Sequence, residues 1–201
     1  MKKDLEAYYQ IRPAIIGADD DECGTAGLIE WSTDGILGPA IQGITGQDVN
    51  HTSMIIVMRL VGDVKRRVFI LEEDEHGLHP AYLSSRIEEF KGHANFVPLR
   101  RKYSPIKNVI ANHMLDLNGT PYDYKALFTN AWRRAELNPD KLYCSESVHW
   151  AIKQSVGDDE FRDHMREAGL YRRVDGRDVY YGARPGEFTL LGFHGESEKI
   201  F

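Results

Sequence analysis

Two of the 201 residues are cysteines, and their surroundings differ sharply. Cys144 lies in KLYCSESVHWAI, Lys141 to Ile152, where a loop runs into an amphipathic segment with Val148, Ala151, Ile152 and Ser155 down one side. A helix starting at about Ser145 sets the thiol beside exposed backbone N–H groups and the positive end of the helix dipole. Both stabilise a thiolate. Position alone leaves two readings, a nucleophile or the small buried hydrophobe that most free cysteines are. Cys23 follows Asp19, Asp20, Asp21 and Glu22, whose charges oppose a thiolate beside them. It is not expected to be a nucleophile.

A cysteine nucleophile needs a base, and the base needs an orienting group. His51 opens the strongest strand pattern in the chain, HTSMIIVMRL, and RRVFILEE follows it across VGDVK. With Val61 and Val64 flanking a two-residue turn at Gly62-Asp63, Val57 faces Val68, Ile55 faces Ile70, Ser53 faces Glu72 and His51 faces Asp74. Alternation then puts His51, Ser53, Ile55 and Val57 on one face with Val68, Ile70 and Glu72. Glu72 becomes the diagonal neighbour of His51, within reach of a long side chain. Glu73 points the other way, and Asp74 is the nearest competitor as orienting group. The same residues also fit a plain surface His–Glu pair at a fraying strand end. Of the other histidines, His76 and His79 fall in a loop, His113 and His149 on helices, and His194 in the tail. None of these five is expected to take part.

The elements that must position these residues read as strands first and helices later. Residues 3–11 predict a short helix, ADDDECGTAG an acidic turn-rich loop, and GLIEWS a short strand before a Gly-rich region through Gly46. After the hairpin come a short helix at YLSSRIEEFKG and a strand at HANFVPL, His93 to Leu99. Ser104 and Pro105 read as N-cap and first helical residue of a helix that carries Ile106, Val109, Ile110, Met114 and Leu117 and closes at Gly119. YDYKALFTNAWRRAEL predicts a second helix, and the segment after Cys144 a third that Gly157 ends. A helix near Glu160 to Ala168 and a last strand in GEFTLLGF complete the chain. Antiparallel pairing with helices segregated in sequence makes this an α+β protein.

Composition narrows the function. With 42% hydrophobic and 28% charged residues the chain can bury a core under a solvated surface. No apolar run approaches the roughly 18–20 residues of a membrane span. A net charge of −6 argues against general nucleic-acid binding, and Arg66-Arg67, Arg100-Arg101-Lys102 and Arg172-Arg173 read as solvated faces. Two distant cysteines make no disulfide framework and no Cys-based zinc site, and the eight histidines show no H-E-x-x-H spacing. No cofactor or metal is expected. The N-terminal MKKDLEAYYQIRP has lysines but no apolar stretch after them, so a cytoplasmic location is expected, with lysis or phage association as routes of release.

NHTSMIIV, VFILEE, PYDYKALF and YCSESVHWA, with RPGEF in the tail, resemble the circularly permuted papain-like cysteine enzymes of the NlpC-type superfamily. The YiiX-like and lecithin retinol acyltransferase-like branches are the nearest. The resemblance implies a permuted papain-like α+β fold over residues 1–201, its core at about 28–155, with an antiparallel sheet packed against helices. It implies Cys144 as nucleophile, His51 as base and Glu72 as orienting residue, with a thioester acyl-enzyme formed on a peptide, amide or ester substrate, peptidoglycan-type peptides among them. Tyr122, which otherwise reads as core packing, and Ser145 are implied as oxyanion or substrate-positioning residues. The chain departs from the pattern at Asn50-His51-Thr52-Ser53, where the family often has Ser-His, a small residue and Gly. It departs again at Ser147, which replaces the usual aliphatic residue. A peptidase or amidase is the expected activity. Lipid or amide acyl transfer on the same triad is an alternative. Another is a non-enzymatic interaction module docking through Asp19–Glu22 or Arg100–Lys102. A metal-dependent hydrolase built on His76 and His79 is a third reading. The sequence leaves the oligomeric state open.

Overall fold

The hairpin that opens at His51 organises the molecule. In the computed structural model, which describes residues 5–18, 23–33, 48–63, 65–123, 140, 142–181 and 184–200, β2 (His51–Arg59) pairs antiparallel with β3 (Arg66–Asp74). Ile55 stands opposite Ile70 and Val57 opposite Val68, the register expected from sequence. Pairing stops at Arg59 opposite Arg66, so the connection is longer than two residues, but an even count leaves the same side chains on the same face. Gly62 supplies the positive φ of the turn, at 82°.

Around this hairpin β1 (Leu28–Thr33), β4 (Gly77–Tyr82), β5 (Gly92–Val97) and the short β8 (Glu198–Lys199) complete a six-stranded antiparallel sheet in the order β4-β3-β2-β1-β5-β8. Gly92 is required where β5 meets β1, since a Cβ there would sit 1.9 Å from the Ser32 carbonyl oxygen. On one face, α1 (Leu5–Ile16) and α2 (Leu83–Glu89) cover Ile29, Trp31, Ile55, Val68 and Ile70. On the other, α3 (Lys107–Asp116) and α4 (Cys144–Val156) bury Met54, Ile56 and Leu71 with Val148, Ala151 and Ile152. α5 (Asp158–Glu167) and a hairpin of β6 (Tyr171–Val174) with β7 (Arg177–Tyr180) follow. The result is α+β. Among the described residues, no helix is long and apolar enough to cross a membrane.

Several elements differ from the sequence reading, each for a tertiary reason. GLHPAY is a strand rather than a loop; it sits at the sheet edge, where Pro80 opposite Leu71 costs little because an edge strand needs fewer N–H donors. Ser104 and Pro105 do not start a helix but lie within a 3₁₀ segment, Arg101–Ile106, and α3 begins at Lys107. The chain has turned before them, because Arg100 N–H donates to Phe193 O and Tyr103 N–H to Arg100 O. GEFTLLGF forms turns rather than a strand, yet it buries Phe188, Leu191 and Phe193 against the α3/α4 core. The hairpin of β6 and β7 went unread. The first helix runs longer than expected, and the third starts at Cys144 itself. Of the helix expected in YDYKALFTNAWRRAEL only Tyr122 and Asp123 are described, and neither is helical; the rest of it, the acidic run Asp19–Glu22 and the Gly-rich stretch before His51 fall on residues outside the described ones.

The basic clusters are engaged internally. Arg100 Nε donates to His194 O at 2.9 Å, Lys102 pairs with Glu160 at 2.9 Å, Arg67 with Asp63 at 2.8 Å, and Arg173 with Asp178 at 3.5 Å.

Candidate active site

Pairing with β1 holds His51 opposite Trp31 at the very start of its strand. Glu72 comes from β3 on the same face. His51 Nε2 lies 3.4 Å from Glu72 Oε2, with the imidazole 17% exposed and the carboxylate 4%. Asp74 is engaged elsewhere: it accepts the His76 N–H at 2.8 Å and lies 3.7 Å from His79 Nδ1. Of the two acidic residues left open by sequence, Glu72 is the one at His51.

Cys144 is the first residue of α4 and is fully buried. It lies near enough to His51 to act on the charge of the imidazole. Burial works against charge on His51, but Cys144 and then Glu72 outweigh it and raise the imidazole pKa to about 10. Burial likewise opposes the charge of Glu72. His51 first, then the Arg86 and His79 charges, overcome that and hold its carboxyl below the usual range. The charged imidazolium of His51 beside the Glu72 carboxylate is the favoured arrangement.

The start of α4 adds donors. Tyr143 O accepts the N–H groups of Glu146 and Ser147 at 2.8 and 3.2 Å, whereas the amides of Cys144 and Ser145 precede the first closed turn. Ser145 is buried with its hydroxyl beside the Tyr143 phenol. Tyr122 is half-buried, and its backbone bridges Leu142, two residues before the cysteine, so it borders the loop that feeds α4. Cys144, His51 and Glu72 are thus together, Ser145 adjoins them by sequence, and Tyr122 enters through its backbone.

The opposite face of β3 carries contacts that sequence did not reveal. The Ser147 hydroxyl donates to Glu73, tying the first turn of α4 to the sheet. Burial pushes the Glu73 carboxyl up to about 8, with Glu146 adding to the rise and Ser147 opposing it. On β1, burial raises Glu30 to about 7. Arg86 on α2 was also missed. Its Nε donates to Glu72 Oε2 at 3.0 Å, and the guanidinium lies over Trp31 and Phe90 at 5.9 and 5.6 Å. Spacing could pair Arg86 with Phe90, four residues on, but only the packing of α2 on the sheet brings it to Glu72.

The remaining candidates lie apart. Cys23 is half-buried with its Sγ 3.3 Å from Thr25 Oγ1. His149 is buried against Phe161, and burial depresses its pKa to about 3; His194, bonded to Ala26 O at 3.0 Å, is depressed by burial to about 4. His113 stands edge-on to Trp150, His79 lies in β4, and His76 is exposed in the β3–β4 turn.

No protein-family profile matches the chain, and no curated protein matches it by sequence. Solved structures do. The crystal structure of the metalloprotein YiiX from Escherichia coli O157:H7, a DUF1105 protein, aligns with a TM-score of 0.54 at 17% identity, over 88% of this chain and 96% of that one. This chain shares its fold with YiiX. At that identity the likeness speaks for architecture. The word metalloprotein describes YiiX. Among the described residues of this chain, no three His, Cys, Asp or Glu side chains are grouped so as to hold a metal ion.

Proposed function

We propose that this protein is a cysteine hydrolase of the peptidase or amidase type on a permuted papain-like fold, with Cys144 as nucleophile, His51 as base and acid, and Glu72 as the residue that orients His51. The observation that carries the reading is His51 itself, acted on by both Cys144 and Glu72 at the first residue of β2. A thiol, an imidazole and a carboxylate in series match what acyl transfer needs.

In this reading the Cys144 thiolate adds to the carbonyl carbon of an amide or ester, and the displaced π electrons form an oxyanion. The amide of Cys144, with that of Ser145, faces the growing negative charge from the start of α4. The His51 imidazolium gives its proton to the leaving nitrogen or oxygen as that bond breaks, which leaves a thioester on Cys144. Neutral His51 then takes a proton from water, whose oxygen attacks the thioester and releases the acid. Glu72 keeps one edge of the imidazole fixed and balances its charge through both steps. With an amine or alcohol in place of water, the same acyl-enzyme would make an acyltransferase.

A small thiol alkylator is the probe to use first, because Cys144 is fully buried. Labelling is followed across pH 5–9 on wild type and His51→Ala. Fast labelling of Cys144 at pH 6 that slows by about ten-fold or more without His51 is the expected result. Slow labelling that ignores His51 would sink the reading. Turnover of a peptide, amide and ester library, lost in Cys144→Ala with the fold intact, then identifies the reaction.

A further inference from the structure

His51 and Arg86 converge on a single atom. Glu72 Oε2 lies 3.4 Å from His51 Nε2 and accepts the Arg86 Nε–H at 3.0 Å. The arginine is held more firmly than a surface ion pair requires. Its guanidinium lies over both Trp31 and Phe90, whose rings are 4.7 Å apart, and the Trp31 indole N–H donates to Ser53 Oγ at 2.6 Å. Ser53 stands two residues from His51 on the same strand face. Trp31 stands directly opposite His51. The clamp on Arg86 is therefore assembled from the residues that flank the histidine.

We infer that Arg86 is a positioning residue for this site: it fixes the Glu72 carboxylate in the orientation that His51 meets and shares the charge that His51 feels. The inference rests on the Cys144–His51–Glu72 reading above. It goes beyond that reading by adding a fourth member that touches neither thiol nor substrate. A carboxylate left wholly to His51 would bind its proton more tightly, and a histidine that holds its proton too well is a poor acid for the leaving group. A cation on the same oxygen tempers that pull while keeping Glu72 ionised in a buried place. The Arg86 side chain, 30% exposed against 4% for Glu72, stands on the solvent side of the pair. Among the described residues, the titratable and charged groups that act on the histidine and its carboxylate are Cys144 from α4, Glu72 and Glu73 from β3, His79 from β4 and Arg86 from α2.

The test is made where the thiolate no longer dominates His51. In a Cys144→Ser background, His51 is titrated by NMR of ¹³C-labelled histidine, its signal assigned through His51→Gln. Adding Arg86→Gln is expected to move the His51 midpoint upward by about 0.5–1 pH unit. Arg86→Lys, which restores the charge, is expected to bring most of the shift back. In a Glu72→Gln background, Arg86→Gln is expected to change the midpoint far less, because the residue it acts through has lost its charge. An unmoved midpoint in Arg86→Gln, or an equal shift with and without the Glu72 charge, overturns the inference. Should Arg86→Gln fail to fold, Arg86→Lys and the double change Arg86→Gln/Glu72→Gln carry the comparison. Alkylation of wild type and His51→Ala reports separately on the Cys144–His51 reading. Labelling that depends on His51, beside a midpoint indifferent to Arg86, removes Arg86 alone.

Discussion

At the scale of single residues, the choice between Glu72 and Asp74 turns on which carboxylate of one strand face is engaged elsewhere. Both carboxylates sit on the His51 side of β3. Asp74 spends its oxygens on the β3–β4 turn, accepting the His76 N–H, whereas Glu72 stands 3.4 Å from His51 Nε2. The two are therefore expected to separate cleanly under mutation. Glu72→Gln keeps the shape and removes the charge, and is expected to lower His51-dependent reactivity of Cys144 by about 10- to 1,000-fold. Asp74→Asn is expected to leave it within about two-fold, since only a turn is touched. Rates of alkylation at pH 6 measure both. Equal losses in the two variants would mean that the strand end as a whole, rather than one carboxylate, supports the histidine.

Elements do the aiming. α4 carries the nucleophile on its first residue, and its direction is set by the row Val148, Ala151 and Ile152 buried against Met54, Ile56 and Leu71 of the sheet. Gly157 ends the helix with φ at 85°, where a side chain would be strained. The bond from the Ser147 hydroxyl to Glu73 pins the first turn. Ile152 is fully buried. Ile152→Ala, two turns below the thiol, is expected to cost roughly 2–5 kcal/mol through lost contact and an incompletely closed cavity. Urea unfolding reads that loss directly. A cost below about 0.5 kcal/mol would mean that α4 is held by its polar first turn rather than by its apolar side.

The whole molecule hides ionisable groups of both kinds, and they act in different pH ranges. Glu30 and Glu73 are protonated in the fold up to about 7 and about 8, where the unfolded chain ionises them near 4.5. Their contribution is complete below that lower value and is lost as pH rises through the upper ones. His149 and His194 are held neutral down to about 3 and about 4 against an ordinary 6.5, so their cost appears as pH falls below that value. His51, raised from an ordinary 6.5 to about 10, loses its contribution progressively as pH climbs from the lower value to the upper. Between pH 6.5 and 8.5 Glu73 and His51 both lower stability as pH rises, with Glu30 adding to the fall up to about 7. The melting temperature is expected to fall across that interval, and Glu73→Gln is expected to flatten the fall. The gain over wild type at pH 8.5 should be about 1–3 kcal/mol. Denaturant titrations at the two pH values check it, and an unchanged slope in Glu73→Gln would show that this carboxyl does not ionise on unfolding in that range.

Much of this was legible in the chain itself, because the interactions concerned are local. Period-two alternation and an even-numbered connection determined which side chains of β2 and β3 share a face, and that alone pairs His51 with Glu72. Apolar spacing at Val148, Ala151 and Ile152 marked α4, and Gly157 marked its end. Cys144 at the start of that helix followed to within one residue. Contacts between distant elements were not legible. Arg86 reads as an ordinary charge on a short helix until α2 lies across the sheet and sets it beside Glu72. Ser147 and Glu73 look like two polar surface residues until α4 packs on the other face and buries both. The GLHPAY edge strand depends on a partner that β3 supplies, and the GEFTLLGF segment buries its aromatics without regular structure. Propensity and periodicity act over a few residues. The meeting of a thiol, an imidazole, a carboxylate and an arginine drawn from four elements is decided by how those elements pack around one sheet.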